Sequence, residues 1–170
     1  DAKELVRRFG VILKNMPELI AEDSDKPTGW IGATYTQTAL RIEITFPSGL
    51  VSVFNGMPSA PGAGRSFTAN LIILDEWAFQ QYAEQIWTAG YPTINRPTGG
   101  QVIGLSTIDR GSFFEEVFTN PDNGFNKIFI PWYADPRRDD NWYSETKKAM
   151  GELMTQEYPA TVEEALTVPG

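Results

Sequence analysis

The residues best suited to chemistry in this sequence are Asp75 and Glu76, which directly follow the apolar run Leu71-Ile72-Ile73-Leu74. Such a run is typical of a parallel-sheet strand covered on both faces, and the carboxyl ends of such strands form the ligand crevice of open α/β sheets. An aspartate there can hold the Mg²⁺ of a nucleotide, and a neighbouring glutamate can orient or deprotonate the water that attacks the γ-phosphate. The pattern predicts a Walker B strand with its catalytic glutamate; the alternative is a strand that ends in a polar turn.

The same two carboxylates fit glycoside hydrolysis poorly. Adjacent residues of an extended strand point to opposite faces, whereas that chemistry needs two carboxyl groups that flank one bond. Glu115 or Glu116 could supply the second carboxylate, but nothing in the sequence singles out either one. A glycosidase therefore remains the weaker interpretation.

Two further positions can take part in nucleotide chemistry. Ser106 and Thr107 end the apolar segment 101–107, where their hydroxyls can contact a γ-phosphate or its attacking water; the alternative is an ordinary strand end with capping hydroxyls. Arg65 lies in a Gly/Pro/Ser-rich loop eleven residues before Glu76. A guanidinium on such a loop can reach a neighbouring subunit's phosphates as an arginine finger, and the alternative is a solvated loop arginine.

The composition excludes several other kinds of site. With no cysteine and no histidine among 170 residues, zinc sites, thiol nucleophiles, disulfides and Ser-His or Cys-His catalytic pairs are excluded. The net charge is −8, so a large basic nucleic-acid footprint is not expected, and the five tryptophans are assigned to packing rather than to base stacking. No apolar stretch approaches the ~18 residues of a membrane span, and no signal peptide is recognised.

A phosphate-binding loop is missing from these 170 residues. A P-loop needs Gly-Lys-Ser/Thr, because its backbone amides and its lysine cradle the phosphates. None of the six lysines follows a glycine, and Gly62-Ala63-Gly64 has neither a lysine nor a preceding apolar strand. A P-loop ATPase of this sequence would have its phosphate-binding strand upstream of Asp1, so the chain is expected to be a piece of a longer protein.

The elements that must position these residues follow from the hydrophobic pattern. The predicted helices are 2–19, 77–88, 112–118, 139–154 and a short patch at 162–166; the strands are 39–46, 50–54, 71–74, 101–107 and 127–133; the loops are 21–29, 57–69 and 90–100. The first two strands read as a hairpin or as part of a meander. Strands that alternate with helices beyond residue 70 predict an α/β architecture with a largely parallel sheet.

The order of these segments resembles the large terminase subunit of tailed bacteriophages, the ATP-driven motor that packs DNA into the prohead. The segments that carry the resemblance are DAKELVRRFGVILKNMPEL, RIEITFPSGLVSVFNG, GAGRSFTANLIILDEWAF, VIGLSTIDRGSFFEEVF, IFIPWYADPRRDDNW and TQEYPATVEEAL, which span nearly the whole chain. The Walker B and EYPAT-EEA segments are the more specific ones. The family often has a proline after the Ser-Thr pair, where Ile108 and Asp109 stand here.

The resemblance implies a three-layer, P-loop NTPase-like (Rossmann-like) α/β domain, incomplete at its N-terminus, with a mainly parallel sheet and an antiparallel β addition. Residues 1–156 would form the C-terminal part of the ATPase domain, and residues 157–170 the junction toward a nuclease domain. The resemblance also implies site roles: Asp75 as the Mg²⁺ partner, Glu76 as the catalytic carboxylate, Ser106 and Thr107 as the coupling motif, and Arg65 as the trans-acting finger. The implied cofactors are ATP and Mg²⁺.

The resemblance further implies the partners and the setting. These are double-stranded DNA, the portal protein, the small terminase subunit and a homo-oligomeric ring, in the host bacterial cytoplasm and without a membrane. Without Walker A and the nuclease, the piece alone is expected to bind ATP poorly and to cut nothing. The competing interpretations are another nucleic-acid P-loop ATPase, of helicase or recombination type, and a non-catalytic structural domain in which Asp75 and Glu76 only close a strand.

Overall fold

The computed structural model describes residues 1–63, 65, 68–95 and 97–167, which divide into two compact units, Asp1–Pro58 and Ser59–Gly170. The first unit contains helix α1 (Ala2–Lys14) and strands β1 (Ile20–Glu22), β2 (Ala33–Gln37), β3 (Arg41–Thr45) and β4 (Val51–Asn55). The second contains β5 (Leu71–Asp75), α2 (Ala83–Ile94), β6 (Gln101–Leu105), α3 (Phe113–Thr119), α4 (Asp140–Met150), α5 (Leu153–Glu157) and α6 (Val162–Thr167). Among the described helices, none combines the length and the apolar character needed to cross a bilayer.

The first unit is a mixed four-stranded sheet in the order β1-β2-β3-β4, with α1 packed on it. β1 pairs parallel with β2, whereas β2–β3 and β3–β4 pair antiparallel, which confirms the predicted hairpin. Its turn passes through Gly49 at a φ of +87°, a conformation that glycine adopts without steric cost. Val6, Tyr35 and Ile42 lie almost fully buried at the centre of this unit.

Two predictions for the first unit need correction. The helix predicted over 2–19 ends at Lys14, since Asn15 caps it and Pro17 cannot continue the hydrogen-bonded turn. The loop predicted over 21–29 begins inside β1, which is only three residues long and gives no period-2 pattern. β2 was not predicted, although Ala33 and Tyr35 alternate with threonines as in a half-buried strand.

The second unit is built on a two-stranded parallel sheet. β5 and β6 pair in register from Leu71 opposite Gln101 to Asp75 opposite Leu105. One face of this sheet packs Ile72, Leu74 and Val102 against aromatic side chains of the unit. The other face does not fit the prediction of a strand covered on both sides, because Leu71 and Ile73 are 46% and 48% exposed.

The strand predicted over 127–133 is wrong. Residues 127–131 pair with no strand that the structure describes, and a short 3-10 turn, Trp132–Ala134, follows Pro131. Ile128 and Ile130 are each 73% exposed. The alternating pattern is a local property of the sequence, whereas a strand also needs a neighbour to pair with.

The helices of the second unit match the predictions in part. The segment predicted as helix 77–88 is a 3-10 turn, Trp77–Phe79, followed by α2, which continues through Pro92 into the predicted loop 90–100. The helix predicted over 139–154 is broken at Gly151, where φ is +59°, into α4 and α5. The short helices predicted at 112–118 and 162–166 are confirmed as α3 and α6. The chain is therefore α/β, with one mixed four-stranded sheet and one two-stranded parallel sheet.

Candidate functional site

The candidate site lies at the carboxyl ends of β5 and β6, which we call the strand-end site (residues 75–80 and 105–112). Because the two strands run parallel with Asp75 opposite Leu105, both of their carboxyl ends open onto the same edge. The Ser106 hydroxyl oxygen accepts a hydrogen bond from the Ala78 backbone N–H at 3.2 Å. The structure thus brings together the segments that carry the predicted Asp75–Glu76 and Ser106–Thr107 pairs.

Glu76 has an unusual backbone conformation. Its φ of 50° and ψ of 43° lie in the left-handed region, and no other non-glycine residue in the described part of the chain has a positive φ. This conformation costs a residue with a Cβ roughly 1–2 kcal/mol and persists only where surrounding contacts impose it. Glu76 is exposed, and its carbonyl accepts from the Phe79 N–H at 3.0 Å, so the chain leaves β5 through a tight turn.

Packing holds the turn that follows Glu76. Trp77 is only 1% exposed, and four aromatic rings surround it at centroid distances of 5.8 to 6.1 Å: Trp87, Phe113, Phe114 and Phe125. Its indole Nε1 is buried without a hydrogen-bond partner among the described residues. A Cβ at Gly104 would lie 2.4 Å from the Trp77 ring, so only glycine fits this position of β6. The turn and β6 are therefore in direct contact.

Polar contacts fix the segment that follows β6. The Gln156 side-chain amide donates to the Ile108 carbonyl at 3.0 Å. Glu115 accepts from the Gly111 N–H at 2.6 Å and forms an ion pair with Arg110 at 3.2 Å. Ser112 caps α3 by accepting from the Glu115 N–H. Residues 108–112 are consequently tied to both α3 and α5.

A polar cavity of about 360 Å³ opens beside the strand ends. Its polar lining consists mainly of Gln80, Gln81, Glu84, Gln85, Asp109 and Arg110. Asp75 and Glu76 are not among its lining residues, so the acidic pair does not form the wall of this cavity. No pattern in the sequence predicts the side-chain amides of Gln80, Gln81 and Gln85 at this cavity, because their position depends on the turn at Glu76.

The strand ends carry oxygen groups of the kind that Mg²⁺ takes, and a magnesium site there stays a prediction. Mg²⁺ takes oxygen ligands, commonly one or two carboxylates completed by water and phosphate oxygens. Asp75 and Glu76 supply carboxylates, and Thr107 adds a hydroxyl at the neighbouring strand end. Within the described ranges, no three Asp or Glu side chains cluster as a ready-made cage for a metal ion.

Arg65 lies apart from these contacts. It is exposed, and its backbone N–H donates to the Gly62 carbonyl at 3.2 Å. No hydrogen bond or ion pair described for this chain brings its guanidinium to the strand-end site. The structure of one chain therefore leaves the trans-acting role of Arg65 a prediction.

The EYPAT segment forms a second structured region in the same unit. The Arg138 guanidinium contacts both the Trp142 and the Tyr158 ring, at 4.9 and 4.8 Å from their centroids, and the two rings lie edge to face at 5.1 Å. Hydrogen bonds from Arg137 hold the pKa of Asp135 well below its usual range. These residues adjoin a cavity of about 290 Å³ that is lined mainly by apolar and aromatic groups. We regard this cluster as packing that anchors the segment around Tyr158.

Comparisons with known proteins do not identify a family for this chain. No protein-family model matches the sequence, and no curated protein is significantly similar to it. The geometry at the carboxyl ends of β5 and β6 therefore carries the functional interpretation.

Proposed function

We propose that this chain is part of the ATPase motor of a phage terminase large subunit, which couples ATP hydrolysis to the translocation of double-stranded DNA into the prohead. The observation that carries the proposal is the left-handed Glu76, which directly follows Asp75 at the end of a parallel strand. Backbone strain of this kind clusters at active sites, where it sets the direction of a functional side chain. The order of motifs described above supports the same interpretation.

The residues of the strand-end site would divide the chemistry between them. Asp75 would hold Mg²⁺, which when bound neutralises charge on the β- and γ-phosphates of ATP. Glu76 would accept a proton from the attacking water or orient it. Ser106 is bonded to the turn that carries Glu76, so a movement of that turn would be passed to residues 106–112. Ser106 and Thr107 would in this way couple the nucleotide state to the rest of the motor.

The open face of β5–β6 supports a larger, three-layer P-loop NTPase-like domain. Parallel sheets are normally covered on both faces, whereas Leu71 and Ile73 lie open on one face of this sheet. We propose that the full-length protein adds strands and helices here, including the phosphate-binding strand and loop. In that protein, residues 1–156 would belong to the ATPase domain, residues 157–170 would lead toward the nuclease, and Arg65 would act across a subunit boundary in a ring.

The decisive experiment is the Glu76→Gln variant of the full-length protein, assayed for ATP binding and hydrolysis. Removing a catalytic base typically costs 10² to 10⁴-fold in rate, so we expect at least about a hundredfold loss of turnover with ATP binding retained. Glu116→Gln is the matched control, because Glu116 is an exposed glutamate on α3. Turnover near the wild-type value in Glu76→Gln would remove Glu76 from this role. A wild-type protein that neither binds nor hydrolyses ATP would favour a non-catalytic structural domain.

A further inference from the structure

Gln80 reaches back across the turn that contains Glu76. Its side-chain Nε2 donates a hydrogen bond of 2.7 Å to the backbone carbonyl of Asp75, in a partly buried position. Its own backbone N–H donates to the Trp77 carbonyl at 3.3 Å, which closes the far end of the 3-10 turn. Gln80 therefore contacts both the end of β5 and the end of the turn.

The carbonyl that Gln80 holds belongs to the peptide group directly before Glu76. The Asp75 C=O and the Glu76 N–H belong to one planar peptide group. The φ angle of Glu76 is the rotation about the N–Cα bond that joins this peptide group to the Glu76 Cα. Fixing this carbonyl therefore restricts φ at Glu76. On the other side of Glu76, the Ala78 N–H is held by the Ser106 hydroxyl. The left-handed residue is thus restrained from both directions.

We propose that Gln80 is a positioning residue, which keeps Glu76 in its left-handed conformation through the hydrogen bond to Asp75. The inference rests on the proposed function in one respect, namely that the carboxylate so positioned is the one that would act on the attacking water. Gln80 makes no contact with the reacting atoms in this role. A simple structural role would predict lost stability with no specific effect on Glu76.

The first experiment measures amide hydrogen exchange of residues 76–79 in the whole chain. Gln80→Met keeps the length of the side chain but removes the donor, and Gln80→Glu keeps the shape with acceptors only. Loss of one hydrogen bond should speed exchange of these amides roughly fivefold in both variants. Gln81→Met is the matched control, because Gln81 is exposed, lines the same cavity and donates no hydrogen bond that the structure describes. Equal exchange in the Gln80 and Gln81 variants would overturn the proposal.

The second experiment is a double-mutant cycle with Glu76→Gly. Glycine adopts the left-handed conformation without a Cβ penalty, so it has less need of the restraint. Gln80→Met should lower the folding equilibrium constant roughly fivefold when residue 76 is glutamate and clearly less when it is glycine. Purely additive effects in chemical unfolding would show that Gln80 acts independently of Glu76, which the proposal forbids.

The third experiment separates the role of Gln80 from the proposed ATPase. In the full-length protein, Gln80→Met should lower kcat at least about tenfold with little change in the KM for ATP, and Glu116→Gln, at an exposed glutamate on α3, should alter neither. A raised KM at normal kcat would overturn the positioning role. If the wild-type protein hydrolyses no ATP, the proposed function fails, while the exchange experiment and the cycle still decide whether Gln80 holds Glu76.

Discussion

The two sheets of this protein expose apolar residues for different reasons. In the first unit, the mixed sheet buries Tyr35 and Ile42 under α1 and leaves the outer side of β4 exposed. An antiparallel edge tolerates one solvated face. In the second unit, β5 and β6 are parallel, and a parallel sheet with Leu71 and Ile73 nearly half exposed is uncommon. The exposed face of β4 thus fits an ordinary antiparallel sheet, whereas the exposed face of β5 departs from the usual burial of parallel strands.

The two units also differ in where the backbone adopts positive φ angles. The positive φ angles in the described part of the first unit belong to Gly29 and Gly49, where they carry no Cβ penalty. The second unit places a glutamate in the left-handed region and restrains it with a hydrogen bond on either side. Strain that is kept in place by several contacts is typical of a functional site. The comparison therefore supports the proposal that the functional site lies at the end of β5.

The largest expected loss of stability comes from truncating a buried isoleucine, Ile42, and the comparison with the half-exposed Ile73 tests the difference in burial between the two sheets. Ile42→Ala should destabilise the chain by about 2–4 kcal/mol, because Ile42 is fully buried and its removal leaves a cavity. Ile73→Ala should cost less than about 1 kcal/mol, since its side chain is 48% exposed. Chemical unfolding of both variants measures the difference.

The same pair of variants, made in the full-length protein, tests the proposal of a larger domain. If further elements cover β5 in the full-length protein, Ile73→Ala should cost about 2–4 kcal/mol there, as Ile42→Ala does. An unchanged small cost in the full-length protein would argue that the outer face of β5 stays open.

The second prediction concerns the contact between β6 and Trp77. Gly104→Ala should destabilise the second unit by about 1–3 kcal/mol, because the added Cβ would lie 2.4 Å from the indole ring and force it to move. Gly90→Ala is the control, since its Cβ would meet only the flexible end of Ile72, at 3.3 Å, and alanine favours the helix. Thermal unfolding and the fluorescence of the buried tryptophan report both effects. An unchanged melting temperature in Gly104→Ala would mean that the turn and β6 are not tightly packed.

The third prediction isolates the strain at Glu76. Glu76→Gly and Glu76→Ala both remove the carboxylate, but only alanine keeps the Cβ penalty of the left-handed conformation. The glycine variant should therefore be more stable than the alanine variant by about 1 kcal/mol, measured by chemical unfolding. The reverse order would show that residue 76 is extended or right-handed in solution.

The sequence-based predictions succeeded where a local pattern was enough. Alternation predicted β3 and β4, and the apolar runs predicted β5 and β6, with Asp75 and Ser106 at their ends. The strand expected over 127–133 failed because pairing depends on a partner rather than on alternation. The same limit applies to the outer face of β5, since an apolar run does not reveal whether anything covers it.

Gln80 illustrates what local patterns miss at the site. Its hydrogen bond to Asp75 exists only because Glu76 turns the chain back on itself, and glutamate has little tendency to adopt a positive φ. The pattern of residues 77–88 predicts one continuous helix, in which residues 75 and 80 would not meet in this way. Sequence reasoning therefore reached the acidic pair but not the residue proposed to restrain it.

The smallest expected effect lies in the first unit and depends on pH. Hydrogen bonds from Arg7 and Arg8 lower the pKa of Glu4 in α1 from 4.5 to about 2. A carboxyl whose pKa is depressed by folding stabilises the folded state above the unfolded pKa, and this contribution is lost as the pH falls from about 4.5 through about 2. Glu4 and both arginines are exposed to solvent, so the contribution is small and salt screens it.

Thermal unfolding of the wild type and of Glu4→Gln between pH 6 and pH 2 tests this prediction. The two melting curves should differ slightly at pH 6 and converge toward pH 2, with a smaller difference in high salt. Glu18→Gln provides the control, since Glu18 lies beyond α1 and forms no ion pair with an arginine among the described residues. A difference in melting temperature that persists in full at pH 2 would mean that Glu4 contributes through packing of its side chain rather than through its charge. A protonated carboxyl no longer attracts the arginines.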